Sequence, residues 1–299
     1  MQDNGLLYKY DKVYNMVDGI ISLKHGINCK EVKDTFGARK LLVRKGLTSL
    51  EPYYFKCCDK LETDSEVLLS QVYAKAGFDT AIYTPAVYNN HFGRNIEGVI
   101  SNDVADEEFM KTERFDHLSD IASGTHLSKE ADYYTFKLLE QRFTKDAVRE
   151  LIKFRLFDTA SYNADRHCGN YMVKQDETGI IGGFTLYDYG SSGHAVEFAM
   201  RNVGSSTDIA SIEKHLKMLN YPSSFETDCS TRVGLINHIK HNETINHYTN
   251  PQELAETLGN VNIQETSNDI SRTIGYYLNP VYTDLIDRSF TQMAEDLVK

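Results

Sequence analysis

Residues 163–173 read NADRHCGNYMV, and residues 184–190 read FTLYDYG. The first stretch sets Asn163, Asp165, Arg166, His167 and Asn170 within eight positions and then runs into apolar residues. Core segments do not concentrate such groups, because each is costly to bury without a partner. Asp165 and Asp188 are hard oxygen ligands of the kind Mg²⁺ prefers, and Asn170 adds an amide oxygen without adding charge. If 171–173 and 184–188 pair as a hairpin, Asn170 and Asp188 meet at its open end and can share a metal. Asp165, five residues before Asn170, is then placed to accept a proton from an attacking hydroxyl. His167 is counted with this catalytic group, as a metal ligand or as a residue that holds the loop by hydrogen bonds. Gly190 is expected to permit the backbone bend that turns Asp188 into a cleft.

The bulk numbers set bounds on this reading. A chain of 299 residues buries a sizeable core as one large domain or two lobes, and 41% hydrophobic with 25% charged residues is a globular composition. The net charge of -11 argues against a protein whose main work is gripping nucleic acid through its phosphates, so no direct nucleic-acid binding is expected. The five cysteines, Cys29, Cys57, Cys58, Cys168 and Cys229, show no CxxC spacing, which points to reduced thiols rather than a disulfide framework or zinc site. The N-terminus lacks a signal-peptide pattern and no 18-residue apolar run occurs. The expectation is a soluble, cytoplasmic protein with no membrane insertion.

Two textures follow one another along the chain. Up to about residue 100, short β-rich runs (KLLVRKG, PYYFKCC, TAIYTPAVY, IEGVIS) surround one helix expected at 65–77, with Leu68, Leu69, Val72, Tyr73 and Ala76 on one face and Gly77 as its stop. From 128 on, helical patterns dominate: SKEADYYTFKLLEQRF, then a helix capped by Thr144 with Leu151, Phe154, Arg155 and Asp158 at helical spacing, and a terminal stripe of Val281, Leu285, Phe290, Met293 and Leu297. The spacing predicts an α+β, two-lobed arrangement: a β-rich lobe over 1–103, a helical lobe over 104–299, and a ligand cleft between them.

Asp-x-x-x-x-Asn, a strand, a turn and Asp-aromatic-Gly form the series base, metal amide, metal carboxylate that phosphoryl transfer on kinase scaffolds uses. Either piece alone is an ordinary turn signal; the pair in this order is not. NADRHCGNYMV…LYDYG resembles the catalytic and metal loops of the atypical kinases, namely the HipA-like kinases of bacteria and the phosphoinositide 3- and 4-kinases. The resemblance is specific over residues 158–190 and patchier elsewhere. It implies a protein-kinase-like fold that uses ATP and Mg²⁺. Lys56, ending an aromatic strand, would neutralise phosphate oxygens and Glu66 would orient it, although Thr63-x-x-Glu66 also fits a capping box. KDTFGARKLLV resembles the HipA-like phosphate loop, with Gly37 and Ala38 letting backbone N–H groups approach phosphates and Lys40 nearby; Arg39 and the shorter spacing depart from that pattern. RNIEGVIS, which contains Ile100, falls where a strand leads to the adenine-receiving hinge and offers its backbone groups. Thr35 stands near the place where HipA-like kinases phosphorylate their own phosphate loop.

The resemblance implies a kinase acting on Ser or Thr of a protein substrate. A lipid or inositol kinase is the alternative, disfavoured because only Arg201 among non-histidine cations follows DYG in the stretch SSGHAVEFAMRNVGSSTD. A pseudokinase, or a member of the fold that transfers AMP, is a third class. Only 36 residues precede Gly37, so the chain looks like a minimal kinase core. The antitoxin partner of HipA toxins is an analogy that these residues do not carry.

Overall fold

A computed structural model describes residues 16–17, 20–24, 29–35, 38–45, 49–102, 114–117, 143–166, 170–204, 207–219 and 231–299. Seven strands, β1 (Met16–Val17), β2 (Ile20–Lys24), β3 (Cys29–Thr35), β4 (Ala38–Lys45), β5 (Ser49–Cys57), β6 (Tyr83–Asn89) and β7 (Asn95–Asn102), form one sheet in the order β1-β2-β6-β7-β5-β4-β3. Its pairings are antiparallel except for β2 beside β6, which is parallel. The strands expected from KLLVRKG, PYYFKCC, TAIYTPAVY and IEGVIS are all present; β1, β2 and β3 have no counterpart in the sequence reading.

The sheet has two different faces because successive side chains alternate along each strand. On one face Ile21, Leu23, Leu41, Val43, Phe55, Tyr88 and Ile100 close a small apolar core. On the other, Tyr83 and Val99 join a much larger core that runs through α1 (Lys60–Lys75) into the helical part of the chain.

Helix α1 starts five residues before the expected boundary. Asp59 is its N-cap, accepting from the Glu62 N–H at 2.9 Å, so the first turn forms upstream and Thr63 and Glu66 are interior residues rather than a capping box. Gly77, at φ +91°, follows its end as expected. Residues Glu62 to Tyr73 are buried on every side, since the sheet covers one flank and later helices the other.

The helical part begins with α2 (Lys145–Ala160), capped by the Thr144 hydroxyl as expected. It delivers the chain to the 163–170 segment and then to β9 (Tyr171–Gln175) and β10 (Ile181–Leu186), which β8 (Arg114–His117) extends to a three-stranded sheet. Then follow α3 (Gly190–Val203), α4 (Ile209–Leu216), α5 (Arg232–His241), α6 (Glu243–Tyr248), α7 (Pro251–Gly259), α8 (Ile263–Ile274) and α9 (Pro280–Val298). Leu285, Phe290, Met293 and Leu297 of the predicted terminal stripe are buried, with Val281 packed at its edge. The run 128–142 lies outside the described residues. Among those described, no helix is long and apolar enough to cross a membrane.

Candidate active site

Strand β5 places Lys56. Tyr53 and Phe55 point into the small core, so the alternation sends Lys56 to the opposite face, where α1 lies. Its Nζ sits 2.7 Å from Glu66 Oε1, 2.7 Å from Asp188 Oδ1 and 3.0 Å from Glu62 Oε1. Lys56 and Glu66 thus meet as the sequence predicts, while Glu62, one turn earlier on α1, is a third carboxylate that sequence reasoning missed. Burial lowers the Lys56 pKa, but Glu66 and Asp188 outweigh it and hold the ammonium above its ordinary range. Glu66 has no exposed surface, and its burial raises its carboxyl despite Lys56. For Asp188, burial pulls upward but the attraction of Lys56 prevails, so this carboxyl lies below the usual range and keeps its charge.

The expected hairpin forms: Leu186 pairs with Tyr171 and Phe184 with Val173, and the Tyr187 N–H reaches the Asn170 carbonyl at 3.3 Å. Asn170 and the residue before Asp188 are therefore neighbours. The bend beyond them differs from the expectation placed on Gly190. Asp188 itself adopts the left-handed conformation, at φ +63°, and Gly190 opens helix α3. Gly190 is needed for space: a Cβ there would lie 2.7 Å from Glu62 Oε1 and 2.8 Å from Lys56 Nζ. Glu66 closes the junction by accepting the Tyr189 N–H at 2.9 Å and the Gly190 N–H at 3.1 Å, an anion at the N-terminus of a helix.

A buried acid anchors the opposite side. Asp158, at the end of α2, receives the Tyr73 hydroxyl at 2.8 Å, the Asn163 amide at 2.9 Å and Arg166 Nε at 3.2 Å, with Arg155 at 3.9 Å. One nitrogen of Arg166, Nη1, donates both to the Asn170 carbonyl, at 2.7 Å, and to the Tyr187 carbonyl. A single guanidinium therefore ties together the backbones that carry Asn170 and Asp188. Asn170 donates its amide nitrogen to the Asp165 carbonyl at 2.7 Å, leaving its oxygen as the acceptor, while Asp165 itself is exposed. The sequence did carry a signal for the anchor: Arg155 and Asp158 share helical spacing with Leu151 and Phe154, and charged groups on an apolar stripe need buried partners.

Among the remaining candidates, the side chain of Ile100 belongs to the small core on the face away from Lys56; Val99 is the residue opposite Lys56 in the ladder. The backbones of Ala38 and Lys40 lie on β4, opposite Thr35 and Lys33 of β3, in the hairpin beside β5. Gly37 and His167 lie outside the described residues.

No protein-family profile and no curated protein matches the chain. Solved structures do. The fold is similar to that of the Helicobacter pylori proinflammatory kinase CtkA, with a TM-score of 0.57 and 14% identity over 92% of this chain and 95% of that one. HipA of the Shewanella oneidensis toxin–antitoxin system aligns at a TM-score of 0.40 and 12% identity, over 91% of this chain and 65% of its own. The likeness to the CtkA fold meets the expectation of an α+β, two-lobed, kinase-like architecture.

Proposed function

We propose that the chain is an ATP- and Mg²⁺-dependent kinase that transfers the γ-phosphate to a Ser or Thr hydroxyl of a protein. The observation that carries this reading is that Lys56 meets Asp188 at 2.7 Å while Arg166 and the Tyr187–Asn170 hydrogen bond tie the segment of Asn170 and Asp165 to that of Asp188. The donor set fits the reactants. Asp188 is ionised, Asn170 presents an amide oxygen, and three carboxylates around one ammonium leave a surplus of negative charge suited to a divalent cation. When bound, Mg²⁺ would neutralise charge on the transferring phosphoryl group, with Asn170 and Asp188 as its protein ligands.

The chain's own residues do the rest. Glu66 holds the Lys56 ammonium, which binds phosphate oxygens. Asp165, exposed at the loop, orients the attacking hydroxyl and accepts its proton. Arg166 keeps the two metal-binding segments at a fixed spacing from within the fold. Positioning and charge stabilisation carry the rate, with no covalent intermediate on the protein.

Purified chain incubated with γ-labelled ATP and Mg²⁺, a protein mixture and phosphoinositide vesicles tests this. We expect label on protein, reduced at least about 100-fold by Asp165→Asn and by Asp188→Ala. Label on lipid alone would replace the acceptor class, α-phosphate transfer would replace the reaction, and equal labelling by both variants would refute the site.

A further inference from the structure

A cavity of about 280 Å³ opens between α4, the start of α5 and the middle of α9, and Lys56 is not among its lining residues. Tyr162, Arg232 and Ser289 line it and are all buried. Arg232, only 5% exposed, donates Nη1 to Ser289 Oγ at 2.8 Å and Nη2 to the Ser289 carbonyl at 3.0 Å. Both acceptors are neutral, and among the described residues Arg232 makes no ion pair. A buried guanidinium without a counter-ion is costly, and natural folds seldom leave one so.

Its position sharpens the point. Arg232 is the first residue of α5, where unsatisfied backbone N–H groups already concentrate positive charge, and the Thr231 hydroxyl satisfies the Gly234 N–H. An acid is the residue that favours such a place. The buried cation faces a vacant volume and calls for an anion.

The rim restricts what that anion can be. Arg288 and Glu295 are engaged, with Asp284 at 2.8 Å and Lys299 at 2.9 Å. Lys217, Glu213 and Asp287 line the cavity without an ion pair among the described residues. A polyanion would be repelled by Glu213 and Asp287, and a simple cation by Arg232. A molecule carrying both signs satisfies every group.

We propose that this cavity binds a small amphoteric molecule, its phosphate or carboxylate received by Arg232 and Lys217 and its ammonium by Glu213 and Asp287. The proposal stands independently of the kinase reading. Tyr162, held at φ +60°, lies against the occupant three residues before Asp165.

Thermal unfolding and calorimetric titration of the full chain, in a phosphate-free buffer, test it with four probes. O-phosphoethanolamine and β-alanine carry both charges, with phosphate and carboxylate respectively; inorganic phosphate and ethanolamine carry one each. At about 10 mM, we expect at least one amphoteric probe to raise Tm by about 3 °C with one-to-one binding, and the single-charge probes to fall well short. Which amphoteric probe binds identifies the anionic group. Arg232→Met should abolish the shift; should that variant not fold, Lys217→Ala, at the rim, should weaken binding several-fold. No shift beyond that of the single-charge probes, or a shift that survives both substitutions, overturns the proposal.

Discussion

Lys56 is a cation among three carboxylates, and Asp158 is a carboxylate among two guanidiniums, a tyrosine and an amide. The two clusters carry opposite surpluses of charge. They also differ in access to water. Lys56 is 20% exposed and Asp188 is 37% exposed at their side chains, whereas Asp158 and Arg166 have almost no exposed surface. The lesson is one of division of labour. The acid-rich cluster, which reaches water through Lys56 and Asp188, can exchange a partner for a ligand, while the buried one fixes the loop and has nothing to exchange.

Asp158→Asn strikes the buried cluster and should have the largest effect. It removes the counter-charge of Arg155 and Arg166, both buried, and unpairing such groups costs about 3–5 kcal/mol. Chemical denaturation should show that loss, or the variant should be recovered as insoluble protein. A cost below about 1 kcal/mol would mean that the cluster does not anchor the loop. Lys56→Met tests the other side. Glu66 retains the Tyr189 and Gly190 N–H groups, Glu62 retains His194 at 3.5 Å and Asp188 retains access to water, so the loss of stability should be only about 1–2 kcal/mol. ATP binding should nevertheless fall by at least about tenfold, since a charged hydrogen bond contributes about 1.5–3 kcal/mol. Equal stability costs for the two variants would abolish the contrast.

A smaller effect separates both clusters from a half-buried acid. Burial pushes the Glu150 carboxyl up from 4.5 to about 7, with Lys174 offsetting it only in part. A raised pKa in the folded state means that the stabilisation is complete below pH 4.5 and is lost as pH rises through about 7. Wild type should therefore lose Tm between pH 5 and 8 relative to Glu150→Gln. Parallel Tm profiles for the two proteins would show that Glu150 does not titrate in this window.

Much of this was legible in the residues themselves. The strands β4 to β7, the caps at Thr144 and Gly77 and the hairpin of 171–173 with 184–188 follow from alternation, spacing and turn chemistry, which act over a few residues, while the meeting of Lys56 with Glu66 was expected from the kinase resemblance. Glu62 escaped because the path of the turn between β5 and α1 decides which carboxylates of the helix reach Lys56, and the full set around Asp158 because Tyr73 reaches it across 85 residues. The start of α1 was misplaced because Asp59 competes as a cap with Thr63. Gly190 was given a conformational reason where the structure supplies a steric one, a distinction that a lone glycine code cannot make.

The junction of α1 with α3 has a consequence for small-molecule control. Helix α3 begins within two residues of Asp188, Gly193 of α3 has no room for a Cβ against the Leu61 carbonyl of α1, and Glu66 holds the start of α3 by two backbone bonds. Asp188 and α1 are thus parts of one rigid unit, and a compound whose binding depends on swinging such a helix outward must first separate two packed helices. Inhibitor chemistry for this chain is better directed at groups that compete for Lys56 in its existing place than at a pocket created behind it.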